Sequence, residues 1–201
     1  MTRSCLRVCL VVLALSVSDP ARATGPLPED GDIVLETSRS QQSAAIQWAS
    51  RSRWSHVGIV ERDGDRVAVI EALGTVSRTP WQAWTRRARR GGPYLVLRAR
   101  HVPPAQRAAA VAEARRLLGR RYDARFGWGD DRIYCSELVV KAYERGAGVA
   151  LGKRQRVGDL DLAGLEPAIQ ARWGRVPRDL VLVTPASIAE DPKLERVYEG
   201  P

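Results

Sequence analysis

A thiol and an imidazole are the side chains of this sequence best placed to do chemistry. The chain has three cysteines and two histidines. Cys5 and Cys9 fall in an N-terminal leader, so the remainder carries one thiol, Cys135, which can form no internal disulfide. An exported chain that keeps an unpaired, oxidisable cysteine invites a chemical reason for it. Cys135 stands in Ile133-Tyr134-Cys135-Ser136-Glu137-Leu138-Val139-Val140, where an apolar helical pattern through Ala142 and Tyr143 begins. At a helix start the backbone N–H groups and the dipole favour a thiolate, and the same groups can hold a developing oxyanion. Without that context a lone cysteine reads as a small buried hydrophobe.

His56 lies in a strand-like run from Trp54 to Val60. A second run from Arg66 to Ala72 follows the turn-forming pair Asp63-Gly64, which predicts an antiparallel hairpin. With Asp63 and Gly64 as the central turn residues, His56 faces Glu71 on the same side of the sheet, with β-carbons about 4.5–5.5 Å apart. A turn centred on Gly64-Asp65 would shift this register. A carboxylate beside imidazole selects its tautomer and stabilises the imidazolium after proton transfer. A thiol, a base and an orienting acid make a set for acyl transfer. Competing chemistries fit poorly. There is no Gly-x-Ser-x-Gly elbow and no phosphate loop. His56 and His101 are distant in sequence without paired ligands, so neither a metal nor a cofactor is expected.

Residues 1–23 read as a signal peptide: Arg3 and Arg7, an apolar run from Val8 to Val17, and Ala21-Arg22-Ala23 as the cleavage box. Residues 24–201, roughly 178 in all, suit a single domain. Nothing in them reaches the ~18 apolar residues that span a bilayer, so a periplasmic or secreted bacterial protein is expected. Arg3, Arg7 and Arg22 against Asp19 give the leader +2, which leaves +7 of the chain's +9 on the remainder. That charge favours anionic surfaces such as wall polymer or lipid headgroups. Export and the lack of a recognition motif argue against nucleic acid.

The elements that must hold the site follow from punctuation and periodicity. Gly31 to Leu35 predicts a short strand and Ser40 to Ser50 a helix. Thr79-Pro80 resembles a cap opening a helix that stops at Gly91-Gly92. Tyr94 to Arg100 reads as a strand, Ala105 to Leu118 as an alanine-rich helix, and the cysteine helix ends near Gly146. Leu151 to Pro177 is irregular apart from a short helix around Pro167–Trp173. Leu180 to Val183 is a last strand, and Pro185 starts a terminal helix. Central strands with helices around them predict an α+β domain with an antiparallel sheet packed against the cysteine helix.

Trp54-Ser55-His56-Val57-Gly58-Ile59-Val60, Ile70-Glu71-Ala72, and Tyr122-Asp123 through Tyr134-Cys135-Ser136-Glu137-Leu138-Val139 together resemble the permuted papain-like amidases. These are circularly permuted relatives of NlpC-type cell-wall cysteine peptidases, in which the histidine precedes the cysteine as it does here. The resemblance runs from Gly31 to about Ser187 and implies Cys135 as nucleophile, His56 as base and Glu71 as the polar third member. It further implies that Tyr122 lines the site and contributes to the oxyanion hole. Tyr134 replaces the aspartate usual in NlpC-type enzymes, and Trp54 replaces a smaller aromatic; both then shape the substrate pocket. The implied activity is hydrolysis of an amide, ester or thioester through an acyl-enzyme. Cell-wall peptides and N-acylated amino acids or lipids are the leading substrate classes. Acyl transfer with the same triad and a catalytically idle wall-binding module are the alternatives.

Other residues carry blander expectations. Arg86-Arg87-Ala88-Arg89-Arg90 reads as a solvated helix end more readily than as an anion site. Asp130 and Asp131 read as loop and cap residues, and His101 as a surface residue. Trp54 and Trp128 are placed by sequence to wall the pocket.

Overall fold

The computed structural model describes residues 27–201; the expected signal peptide lies outside the described residues. Ten strands and six α-helices follow in chain order: β1 (Ile33–Glu36), α1 (Gln41–Ser50), β2 (His56–Asp63), β3 (Arg66–Leu73), β4 (Thr75–Pro80), α2 (Trp81–Gly91), β5 (Tyr94–Ala99), α3 (Pro104–Arg116), β6 (Arg121–Tyr122), β7 (Arg132–Ile133), α4 (Cys135–Ala147), β8 (Arg154–Arg156), α5 (Glu166–Trp173), β9 (Val181–Val183), α6 (Pro185–Ala189) and β10 (Leu194–Gly200). Eight strands form one sheet in the order β10-β5-β1-β2-β3-β4-β6-β7, while β8 and β9 pair separately. Every pairing is antiparallel except β6–β7.

Side chains alternate along these strands, so the sheet has two apolar faces. Ile33, Leu35, Val57, Ile59, Ile70 and Ala72 join Leu138, Val139 and Ala142 of α4 and Ala110, Val111 and Ala114 of α3 in one core. Val34, Val60, Val69 and Val96 meet Trp81 and Trp84 of α2 on the other face. Trp81 and Trp84 stack at 5.4 Å between ring centroids, and Tyr94 meets both edge-on. Helices α3 and α4 approach closely because Gly146 presents no side chain: a β-carbon there would fall 2.4 Å from the Ala109 carbonyl oxygen. Among the described residues no helix is long and apolar enough to cross a membrane.

Three local expectations need correction. The β2–β3 turn centres on Gly64-Asp65, with Asp63 paired to Arg66. Gly64 takes φ +59 at the first central position while Asp65 does not enter the positive-φ region. That demand for glycine first is the signature of a type II′ turn and sets the register. Thr79 is no helix cap; it belongs to β4, and Pro80 precedes the first helical residue, Trp81. β4, β6, β7, β8 and the edge strand β10 are additions to the elements read from sequence; β8 interrupts the stretch read as irregular and pairs with β9.

Candidate active site

His56 is the first residue of β2, and its directly opposed partner on β1 is Glu36. Glu71 pairs with Gly58, two positions along from His56, so it approaches the imidazole diagonally. The turn shift moves the register by two residues and therefore keeps Glu71 on the expected face. Gly58 leaves it room, since a β-carbon there would fall 3.3 Å from that of Glu71 and 2.5 Å from Val69 Cγ1. His56 Nε2 and Glu71 Oε2 are 2.7 Å apart.

Cys135 is the first residue of α4, immediately after Tyr134, whose N–H donates to Glu137 Oε2 at 3.2 Å. Its thiol sits beside the His56 ring, the Val57 N–H and the Ser136 hydroxyl, with Sγ 4.0 Å from the Ser136 oxygen. With Nε2 on Glu71, Nδ1 is the ring nitrogen left for sulfur. His56 and Glu71 belong by alternation to the α2 face of the sheet, whereas Cys135 packs in the core beneath the other face. His56 stands at the first position of β2, and its ring lies beside Glu71 and Cys135 alike.

The electrostatics follow from burial and partners. Burial alone would push the His56 imidazole down, but hydrogen bonds to Cys135 and Glu71 and their charges lift it to about 10. Burial would raise the Cys135 thiol, and the hydrogen bond and charge of His56 outweigh it and hold the thiol below its ordinary value. Glu71 resists burial through His56 and Arg87 and falls to about 2. Thiolate, imidazolium and carboxylate are therefore the consistent charge states.

Arg87 was expected in a solvated run, yet it turns inward from α2. Its Nη1 and Nη2 donate to Glu71 Oε1 and Oε2 at 2.9 and 2.6 Å, and Nε donates to Glu36 Oε1 at 2.9 Å. The Thr79 hydroxyl donates to Glu71 Oε1 at 2.5 Å. Helical spacing carried a signal: Arg87 follows the buried Trp84 by one turn and adjoins buried Ala88. Among the described residues, Glu36, His56 and Glu71 offer ligand atoms within 4.8 Å of one another. The Arg87 guanidinium already lies on both carboxylates, so this set fits an arginine and not a metal ion.

Tyr122 sits on β6 in parallel register with Ile133 of β7, two residues before Cys135. Gln42 Nε2 donates to its hydroxyl oxygen at 2.8 Å, which leaves the phenol's own hydrogen for another acceptor. Burial pushes this phenol well above the usual tyrosine range, so it stays a neutral donor. Gln42 escaped the sequence reading, because nothing in a polar first turn of α1 marks it.

Two cavities share Cys135 as a wall. One, of about 330 Å³, is apolar and runs past Phe126, Tyr134, Leu162, Leu165, Ile169 and Leu182. The other, of about 140 Å³, is bounded by His56, Tyr122, Gln42, Ser43 and Ser55. Tyr134 thus lines the larger cavity; its ring meets Phe126 edge-on and its hydroxyl accepts from the Val183 N–H at 3.1 Å. Trp54 lines neither cavity: it is 8% exposed in the α3–α4 core. Trp128 is likewise absent from both walls and packs under Lys141 and Arg154. Asp130 is no cap but an ion-pair partner of Lys141 and Arg145 on α4, each at 2.8 Å.

Residues 28–198 match the family described as permuted papain-like amidase enzyme, YaeF/YiiX, C92. The uncharacterized protein YiiX of Escherichia coli (strain K12) is 37% identical over 194 residues, covering 94% of each chain. A crystal structure described as metalloprotein yiiX from Escherichia coli O157:H7, DUF1105, superposes with a TM-score of 0.80 at 35% identity. It covers 85% of this chain and 97% of its own. The chain belongs to the permuted papain-like amidase family and is, with it, a papain-like cysteine hydrolase.

Proposed function

We propose that this protein hydrolyses the amide bond of an N-acylated compound, with the aliphatic acyl chain in the larger cavity and the amine side in the smaller one. The observation that carries this reading is the position of Cys135 on the wall shared by an apolar and a polar cavity. The thiolate attacks the carbonyl carbon, and the Cys135 N–H at the helix start and the Tyr122 hydroxyl receive the oxyanion. Imidazolium His56 gives its Nδ1 proton to the departing amine, leaving an acyl-thioester on Cys135. The neutral ring then takes a proton from water, hydroxide attacks the thioester, and the thiolate departs. Glu71 holds the ring and balances its charge throughout.

A largely apolar wall suits an alkyl chain better than a wall peptide, whose amides and carboxylates would find few partners there, chiefly Gln41, Arg172 and Thr184. The leader at residues 1–23 supports export, and the basic surface supports working near anionic envelope polymers or lipids. The YiiX relative is described as a metalloprotein; in this chain Arg87 occupies the Glu36–Glu71 pair, and no step uses a metal.

A series of N-acyl amides of increasing chain length tests the substrate class. Each buried methylene is worth ~0.8 kcal/mol, so kcat/KM should rise about fourfold per CH₂ until the cavity is full and then level off. A flat series, or preference for an unacylated wall peptide, would overturn the assignment.

A further inference from the structure

Glu36 and Glu71 are each 1% exposed and lie against the same imidazole. Two buried carboxylates this close cannot both ionise unaided, so one of them takes up a proton unless a cation intervenes. The groups facing His56 are Glu36 from β1, Glu71 from β3 and Cys135 from α4, with Arg87 of α2 bound to both acids. Arg87 brings this acid pair to a net charge of −1 without a proton; in its absence one proton would do the same. The two solutions differ in chemistry. Without the guanidinium the pair shares one proton, which burial already favours on Glu36. Whenever that proton sits on Glu71, the imidazolium loses the charge facing its Nε2–H and holds the proton from Cys135 less firmly.

We infer that Arg87 is a positioning residue: by occupying both carboxylates it keeps Glu71 ionised and aimed at Nε2, so that His56 can hold the proton it takes from Cys135. A guanidinium suits the task because its planar fork matches a carboxylate and it stays charged at every working pH. The inference rests on reading Cys135 and His56 as nucleophile and base.

The test is the iodoacetamide alkylation rate of Cys135 from pH 5 to 9 in the full chain, with folding of each variant checked by circular dichroism. Wild type should react faster at pH 6 than a free thiol. Arg87→Met should be slower there on the order of 10-fold, one pH unit's worth of thiolate, with an added ionisation in its profile. Arg87→Lys keeps the charge without the fork and should fall between the two. Arg87→Met combined with Glu36→Gln should recover most of the rate, because a single carboxylate can stay ionised beside His56. A folded Arg87→Met with the wild-type profile, or a loss that Glu36→Gln does not relieve, would overturn the inference and leave Arg87 a structural tie. If Arg87→Met does not fold, Arg87→Lys decides: a wild-type profile there overturns the inference, and a shifted acid limb supports it. Wild type no faster than a free thiol is a separate failure, that of the Cys135–His56 reading itself.

Discussion

Replacing Glu71 by glutamine alters one atom type in a closely bonded cluster, and its effect can be worked from the contacts. The two carboxylate oxygens accept four hydrogen bonds: Oε1 from Arg87 Nη1 and Thr79 Oγ1, Oε2 from Arg87 Nη2 and His56. A carboxamide keeps one acceptor, and whichever way it turns, its NH₂ meets one guanidinium N–H. One charge-assisted bond is lost outright, at about 1.5–3 kcal/mol, and the others weaken to neutral strength. A stability loss of ~3 kcal/mol is expected, read as a shift in the urea midpoint with unchanged slope. The chemical effect is larger. Without its counter-charge the imidazolium should fall from about 10 back toward the ordinary 6.5, and by analogy with other triads kcat/KM should drop on the order of 10²–10⁴-fold. That loss corresponds to ~3–5 kcal/mol of transition-state stabilisation. The assay is kcat/KM on an N-acyl amide, compared at matched folded fraction. Full activity in folded Glu71→Gln would remove Glu71 from the machinery and leave a Cys135–His56 dyad.

Three further outcomes follow. The raised His56 contributes stability that is complete below 6.5 and lost as pH climbs through about 10, while the lowered Cys135 contributes stability that is complete above 9.0 and lost as pH falls through its folded value. Below 9.0 the two slopes oppose each other, so denaturation midpoints should vary less with pH there than in Cys135→Ala, and should fall above 9.0 as His56 loses its proton. Lys141→Met leaves Glu137, already pushed up to about 7 by burial, without its 2.6 Å partner; about 3–5 kcal/mol of stability should vanish in urea denaturation. Ile169→Trp intrudes on the apolar cavity and should move the chain-length optimum to shorter acyl groups with activity on the shortest amide retained.

How much of this was legible depends on which signals are local. The cysteine helix and the histidine strand carry their own patterns, and the helix read from Ser40 begins there, with Ser40 as its cap accepting from the Ser43 N–H at 3.0 Å. Glu71 was found through strand parity, which a two-residue register slip preserves and a one-residue slip would have destroyed. Arg87 was misread because a run of arginines at a helix end normally faces water; only the tertiary pairing of α2 with Glu36 and Glu71 turns it inward. β4 hid behind Thr79-Pro80, a pair that also spells a helix start, and it buries only Val76. β10 is an edge strand rich in charge, defined by pairing with β5 instead of by alternation. The place of Trp54 beside His56 in the sequence pointed toward a pocket, but the packing of α3 and α4 claims it for the core.

The central claim is that Cys135 carries the acyl group during turnover. Rapid acid quench of the enzyme with an activated long-chain acyl ester, followed by peptide mass spectrometry, tests it directly. The account predicts one acyl mass added to the peptide containing Cys135, removable by hydroxylamine, abolished in Cys135→Ala and greatly diminished in His56→Ala. An adduct on another residue, or turnover persisting in Cys135→Ala, would contradict it.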